Sequence, residues 1–371
     1  MTRVGEPRDG TTRREMMRTA LAGGAVLAGG SLLAACGSSS SSASSATTVP
    51  ASQIKPGGNL RIGSTGGGAS DSIDAHIAVS DPDIARIHQL YEPLAIRDPD
   101  FNFKMVLAES MTPASKPDVW TIKLRPGVSF HNGKPVTADD VLYSIHRMIK
   151  LPGSTAAASI GYVDLGATKK LDKSTVQVKL MFPNISFPDD IGQYFNGIVP
   201  VGYDPKNPIG TGPFKYQSFS PGQQSVFMKF DSYWNGPAHV DSVTIIDFAD
   251  DTAKVNALLG SQADAVTNLP GAQLSQIKGS SGLAPLISQS GAWQPFTMRV
   301  DVAPFSDVRV RQAMRLIVNR QQMIEQALLG QGRVANDLYA PYDPAYNSSL
   351  AQRYRTWSRR SRCSSRPATA T

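Results

Sequence analysis

At 371 residues with two cysteines, the chain is long enough for two lobes with separate cores and too poor in cysteine for a disulfide framework. Its formal charge of +7 does not mark a nucleic-acid surface. Residues 1–35 carry five arginines against three acids and residues 351–371 carry six arginines and no acid, which leaves 36–350 at −1 with no basic footprint.

The first 35 residues read as an export signal. Thr12-Arg13-Arg14-Glu15-Met16-Met17 resembles a twin-arginine signal, and the apolar run from Ala20 to Ala35 is too short and too rich in glycine for a membrane-spanning helix. Leu33-Ala34-Ala35-Cys36 resembles a bacterial lipobox, which makes Cys36 the lipidation site and the outer face of the cell membrane the expected location. A buried apolar helix with a free thiol is the competing reading. Residues 36–55 are rich in Ser and Ala, lack a hydrophobic pattern and read as a flexible tether.

Beyond the tether, hydrophobic spacing sets out the elements in order. Ile84 to Leu90 predicts a helix. Trp120, Ile122 and Leu124 alternate with Thr121 and Lys123, the two-residue period of a half-buried strand. Arg125-Pro126-Gly127 turns the chain, Val128 and Phe130 are expected to resume the strand, and Asn132-Gly133 before Pro135 makes a second turn. Thr137 and Asp140 form a Thr-x-x-Asp capping box for a helix striped by Val141, Leu142, Ile145, Met148 and Ile149. Val176, Val178 and Leu180 predict a further strand. The run Asn207 to Phe214 combines glycines that permit a tight path with prolines that stiffen its flanks. An apolar strand over Val243 to Ile246 is followed by a helix from Asp251 to Leu259, with Gly260 just past its end. Val310, Ala313, Met314 and Ile317 stripe one late helix; Met323, Ile324, Ala327 and Leu328 stripe another that ends at Gly330.

Motifs for chemistry are sparse. The five histidines (His76, His88, His131, His146 and His239) show no H-E-x-x-H or other close metal spacing, and no G-x-S-x-G elbow occurs. Gly66 to Gly68 is followed by no Gly-Lys-Ser/Thr and does not have the G-x-G-x-x-G spacing of a nucleotide loop. No catalytic residue, metal ligand or cofactor is expected.

The segment "LAESMTPASKPDVWTIKLRPGVSFHNGKPVTADDVLYSI" resembles the diagnostic stretch of the family 5 extracytoplasmic solute-binding proteins, the dipeptide, oligopeptide and nickel receptors of ABC importers. Further landmarks share the resemblance. They are Gly57 to Gly63 as a first strand, Tyr91-Glu92-Pro93-Leu94, the "P-x-G-T-G-P-F" turn at 208–214, Tyr233-Trp234-Asn235-Gly236, Ala263 to Val266, and Pro304 to Ala313 as "P-F-x-D-V-R-V-R-Q-A". Asp71 to His76 takes the place of the family's "LDP" turn without its proline.

The resemblance implies an α/β, two-lobed, periplasmic-binding-protein-like (type II) fold. Residues 56–95 and 206–290 would form the first lobe, 96–205 an accessory subdomain of it, and 291–350 the start of an incomplete second lobe. It also implies a monomeric, lipid-anchored receptor that captures an oligopeptide and passes it to ABC permease subunits with a separate ATPase. Nickel chelate, haem or oligosaccharide are alternative ligands on the same fold, and an exported hydrolase is the alternative outside it. Ser64 and Thr65 border the family's ligand cleft and are candidate contacts, a surface loop being the competing reading. Trp293 and Phe296 flank the expected crossing between lobes; they either line the cleft or pack in a core.

After about Asn347 the resemblance fails. Residues 351–371 have no periodicity, and the codons for Thr356 to Thr369 can be chosen so that a one-nucleotide shift spells DLEPAKSLLKQAGY, a helix of the type the family has there. A frameshift is therefore expected, and with it a product whose first lobe is partly ordered, whose region after about residue 290 is molten or proteolysed because its helices lack part of the surface they bury against, and whose affinity for ligand is low.

Overall fold

The computed structural model describes residues 53–98, 101–288, 291, 293–335, 341 and 346–352. The export signal, Cys36 and nearly all of the arginine-rich tail lie outside the described residues.

Strand β1 (Asn59–Thr65) leads through a glycine loop to helix α1 (Asp81–Leu90). Ser80 and Asp83 cap that helix reciprocally: Asp83 N–H donates to Ser80 Oγ at 3.4 Å, and Ser80 N–H donates to Asp83 Oδ2 at 3.2 Å. A short hairpin, β2 (Ala95–Arg97) and β3 (Phe103–Met105), precedes β4 (Ala108–Pro113) and β5 (Val119–Leu124). Helix α2 (Ala138–Lys150), the single turns α3 (Ala157–Ile160) and α4 (Phe187–Ile191), and strands β6 (Lys169–Asp172) and β7 (Thr175–Lys179) complete this part. The chain returns through β8 (Phe214–Ser220), β9 (Gln224–Lys229), β10 (Ser242–Phe248), α5 (Asp251–Leu259), β11 (Ala265–Val266) and α6 (Gly271–Lys278). Helices α7 (Val308–Ile317) and α8 (Arg320–Ala327) follow.

Two main sheets result. A mixed sheet runs β11-β1-β10-β9-β8, with β1 parallel to both β10 and β11 and the rest antiparallel. Leu60, Ile62, Val243 and Ile245 of this sheet pack with Ile84, Ile87 and Leu90 of α1, while Val255 and Leu258 of α5 pack with Val266 in a separate small cluster. The second sheet, β4-β5-β7-β6, is wholly antiparallel. Trp120, Ile122 and Leu124 of β5 and Val176 and Val178 of β7 turn inward beneath Val141, Ile145 and Met148 of α2, forming the larger core. Fully burying side chains of this size contributes roughly 1.5–3 kcal/mol each, which holds α2 on the sheet.

The alternation and stripe predicted for β5 and α2 are present as read. The carboxylate half of the α2 capping box is also present: Asp140 Oδ2 accepts from Thr137 N–H at 2.8 Å and from Thr137 Oγ1 at 2.7 Å. Val128 and Phe130 do not resume a strand. They are buried, but only Ser129 and Pro135 pair, as an isolated bridge. Phe130 N–H donates to Lys134 O at 2.8 Å and Val136 N–H to Val128 O at 3.0 Å; Pro135 has no N–H with which to extend the ladder. Helix α7 carries its predicted stripe but has no fully buried residue, and α8 buries only Ile324.

Candidate functional site

Open α/β sheets bind ligands beyond the carboxyl ends of their parallel strands. Here those ends belong to β1, β10 and β11, and they meet at Thr65, Phe248 and Val266. Gly63 permits the approach, because a Cβ there would stand 2.9 Å from the Phe248 ring. Thr267 N–H donates to Gly63 O at 3.0 Å, and Gly66 N–H donates to Phe248 O at 3.1 Å.

Polar side chains lock this rim. Thr65 Oγ1 donates to Asp251 Oδ1 at 2.7 Å. Lys254, fully buried on α5, pairs with Asp251 at 2.9 Å and donates to the carbonyls of Thr267 at 2.8 Å and Asn268 at 3.1 Å. Hydrogen bonds from Lys254 and Thr65 hold the Asp251 carboxyl below the usual range. Asn268 adopts φ +46° and donates to Asp81 Oδ2 at 2.5 Å, tying the rim to the start of α1.

Of the residues singled out in the sequence, Ser64 and Thr65 are neighbours on this rim. Ser64 is fully buried, its hydroxyl accepting from Thr267 Oγ1 at 2.9 Å, so its place is in the frame beneath the rim. Thr65 is half-buried. Trp293 and Phe296 lie on an extended segment between α6 and α7, 55% and 66% exposed, and belong to none of the three apolar clusters. Packing in a core is therefore not their place here. Cys36 lies outside the described residues.

Polar groups elsewhere in the fold had no sequence signature beyond their types. Arg147 of α2 grips Asp74 through two hydrogen bonds, at 2.8 and 2.5 Å, and donates to His76 Nδ1 at 2.8 Å. His76 Nε2 donates to Gly197 O at 2.8 Å. Burial lowers this imidazole to about 4, so it stays neutral and joins the segment after β1 to α2. Glu92, also buried, accepts from Tyr233 OH at 2.6 Å and from Trp234 Nε1 at 2.8 Å. Among the described residues, no group of three or more His, Cys, Asp or Glu is placed to hold a metal. The half-buried Thr65 hydroxyl, whose hydrogen goes to Asp251, keeps its oxygen as an acceptor for a polar solute.

A model of the bacterial extracellular solute-binding proteins, family 5, middle region, matches residues 102–370. The chain belongs to this family. The match includes most of the segment 351–371 that the sequence sets apart. The chain is 28% identical over 309 residues to the oligopeptide-binding protein AppA of Bacillus subtilis (strain 168), covering 79% of this chain and 55% of that one. It is 25% identical over 295 residues to the glutathione-binding protein GsiB of Escherichia coli (strain K12), covering 77% and 56%. Among solved structures it resembles a nickel ABC transporter protein from Bacillus halodurans, with a TM-score of 0.64, 27% identity and coverage of 78% and 60%. It shares its fold with DppA of Helicobacter pylori in complex with the peptide STSA, with a TM-score of 0.68, 20% identity and coverage of 84% and 66%. The chain thus spans just over half the length of these curated relatives. The fold is the α/β type II fold of the periplasmic binding proteins, and the family is one of extracellular solute-binding proteins of ABC transporters rather than of enzymes. Among the described residues, no helix is long and apolar enough to cross a membrane.

Proposed function

We propose that this chain acts outside the cytoplasm as a solute-binding receptor, takes an oligopeptide as its solute and delivers it to ABC permease subunits whose ATPase is separate. Family membership, with 28% identity to an oligopeptide-binding protein, is the observation that carries this reading. The rim at Thr65 supports it, because a peptide N–H would find the Thr65 oxygen as an acceptor there. Residues 56–95 and 206–290 act as the first lobe, 96–205 as its accessory subdomain, and 291–350 as the part of the second lobe that supplies Trp293 and Phe296. Separate pairing of the two main sheets supports that division. Ligand favours closure of such lobes only through contacts made in the closed state. Chemistry is not required of the receptor.

The chain is exported by its twin-arginine signal and held at the outer face of the membrane by a lipid on Cys36, as a monomer. A Cys36→Ala protein should leave the membrane fraction. Unchanged partitioning would sink the anchor.

A second ligand class, a nickel chelate, is supported by the 27% identity to the nickel transporter protein. The discriminating experiment is a thermal-shift titration of the full chain with peptides of two to nine residues and, separately, with nickel–histidine. A ligand at a hundred times its dissociation constant stabilises by about 2.7 kcal/mol. A saturable shift with peptides supports the first reading, and a shift with nickel–histidine alone replaces it. Turnover of the peptide during the titration would instead revive an enzyme.

A further inference from the structure

Arg86, fully buried on α1, sits among three carboxylates. Its Nη1 donates to Asp83 Oδ1 at 2.9 Å and to Asp71 Oδ2 at 3.2 Å, its Nη2 donates to Asp247 Oδ2, and its Nε donates to Ser225 Oγ at 3.1 Å. The Phe219 ring lies 4.7 Å from the guanidinium carbon. One positive charge thus faces three acids whose side chains are 2% exposed or less. Buried charge in such excess is expensive, and the usual relief is for one group to take a proton.

The three acids are not equivalent. Asp83 accepts backbone N–H bonds from Ser72 at 2.8 Å, Val79 at 3.1 Å and Ser80 at 3.2 Å. Asp71 accepts from Gly68 N–H at 2.8 Å and Gly222 N–H at 3.2 Å. Asp247 has only Arg86, and its Oδ1 is buried without any hydrogen-bond partner. Asp71 Oδ2 and Asp247 Oδ2 pair with adjacent nitrogens, Nη1 and Nη2, of the same guanidinium, which gathers the two carboxylates around one charge. On the sheet, Asp247 is in register with Ser64 of β1, and its N–H donates to Gln223 O; among the described residues, Arg86 and Asp71 are the charged groups that act on it, with Asp83 on the far side of the shared guanidinium. Burial raises the Asp247 carboxyl to about 6; Arg86 opposes the rise and Asp71 adds to it.

We propose that Asp71 and Asp247 share one proton, carried on Asp247 and donated to Asp71, and that this proton latches the glycine loop 66–68 to the turn between β8 and β9. Asp71 is the clasp, because its two oxygens receive Gly68 and Gly222. A Cβ at Gly67 would stand 2.6 Å from Asp71 Oδ2, and one at Gly222 would stand 3.0 Å from the Cα of Gly68, so the three glycines close around one carboxylate. Loss of the proton sets two ionised carboxylates side by side and pushes Asp71 away from Asp247. The glycine loop continues β1 directly beyond Thr65, so the latch sets the mobility of the candidate rim. Because the folded acid keeps its proton up to about pH 6, the latch is tight at pH 5 and open at pH 8.

The test uses the full chain in two measurements. Carboxyl 13C shifts of the aspartates are followed against pH, and amide exchange of Gly68 and Gly222, corrected for intrinsic rates, is followed at pH 5 and pH 8. In the wild type, Asp247 should titrate well above the ordinary aspartate range, and protection of both amides should fall about tenfold or more from pH 5 to pH 8, the effect of at least one pKa unit of coupling. Asp247→Asn, which keeps an N–H donor towards Asp71, should hold its protection across that interval. Titration of Asp247 in the ordinary range overturns the shared proton, and can be read on wild type even if the variant does not fold. A flat wild-type protection profile, or the same fall in Asp247→Asn, overturns the latch.

Discussion

His131 and Gly210 exchange two hydrogen bonds: His131 N–H donates to Gly210 O at 2.9 Å, and Gly210 N–H donates to His131 Nδ1 at 3.2 Å. The other ring nitrogen, Nε2, donates to Gly212 O at 3.0 Å. The histidine of the "F-H-x-G" landmark therefore satisfies the backbone of the "G-T-G-P-F" turn, which returns the chain to the mixed sheet. Its ring also meets Phe230 edge-on, with centroids 5.2 Å apart.

This geometry requires a neutral ring, and burial lowers His131 to about 4. An unfolded histidine titrates near 6.5, so between pH 6.5 and 4 the unfolded chain takes up a proton that the folded chain refuses. Stability contributed by this burial is complete above pH 6.5 and falls as the pH drops, by about 3 kcal/mol over the window. His76 acts in the same direction, and Asp247, raised to about 6, acts in the opposite one. Urea midpoints at pH 7.5 and 4.5 should therefore differ less in His131→Asn than in wild type. Equal differences would mean that His131 does not supply this part of the acid sensitivity.

Gly210 and Gly212 are required for another reason. A Cβ at Gly210 would lie 2.0 Å from Leu90 O, and one at Gly212 would lie 2.5 Å from Gln89 O. Both obstacles are backbone at the end of α1, which cannot rotate away as a side chain could. Gly210→Ala should destabilise the protein by about 3 kcal/mol or more, beyond ordinary overpacking. Gly166→Ala, whose added carbon meets only the tip of Asp164 at 3.5 Å, should stay within about 0.5 kcal/mol of wild type. Denaturant midpoints decide it, and similar values for the two variants would refute the close-approach argument.

How far the sequence disclosed all this depends on the range of the interaction. The period of β5, the stripe of α2 and the extent of α5 follow from neighbours within one element, and they could be read directly. Long-range partners could not. Arg86 and Asp83 are a visible i, i+3 pair, but Asp247 joins them from 161 residues away. Nothing local marks Lys254 as fully buried, because its three oxygen partners come from Asp251, Thr267 and Asn268 once the rim has formed. Val128 and Phe130 have the right alternation for a strand yet form none, because turn chemistry at Asn132, Gly133 and Pro135 overrides it. Ser64 and Thr65, read from the sequence as following a strand that ends at Gly63, are instead the last two residues of β1, and which of the two is buried depends on the pairing of β1 with β10 and β11.

Glu92 gives a graded test of a buried acid. Its two oxygens accept from a phenol and an indole, and burial raises its carboxyl above the usual range. Glu92→Gln retains one acceptor for the indole N–H while the phenol can turn its hydrogen elsewhere, so a loss of about 1 kcal/mol is expected. Glu92→Leu strands the Trp234 N–H in a buried site and should lose about 2–3 kcal/mol. Indole emission of Trp234 should change in the second variant more than in the first. Equal losses would show that packing rather than hydrogen bonding holds the Tyr233-Trp234 turn to Tyr91-Glu92.

Trp293 and Phe296 separate a binding role from a structural one cleanly, because both are more than half exposed and neither joins an apolar cluster. Truncating a side chain that is more than half exposed leaves most of its surface in water in both states, so the change in stability is small, about 0.5 kcal/mol. If these rings line the proposed cleft, however, each would be covered by a bound peptide, and aromatic anchors of that kind commonly contribute more than about 1 kcal/mol to binding. Trp293→Ala and Phe296→Ala should therefore melt with the wild type in urea while their peptide affinity falls about tenfold or more. Wild-type affinity in both variants would remove them from the site. A large loss of stability would instead show that these rings are buried in solution, which returns them to the packed reading the sequence also allowed.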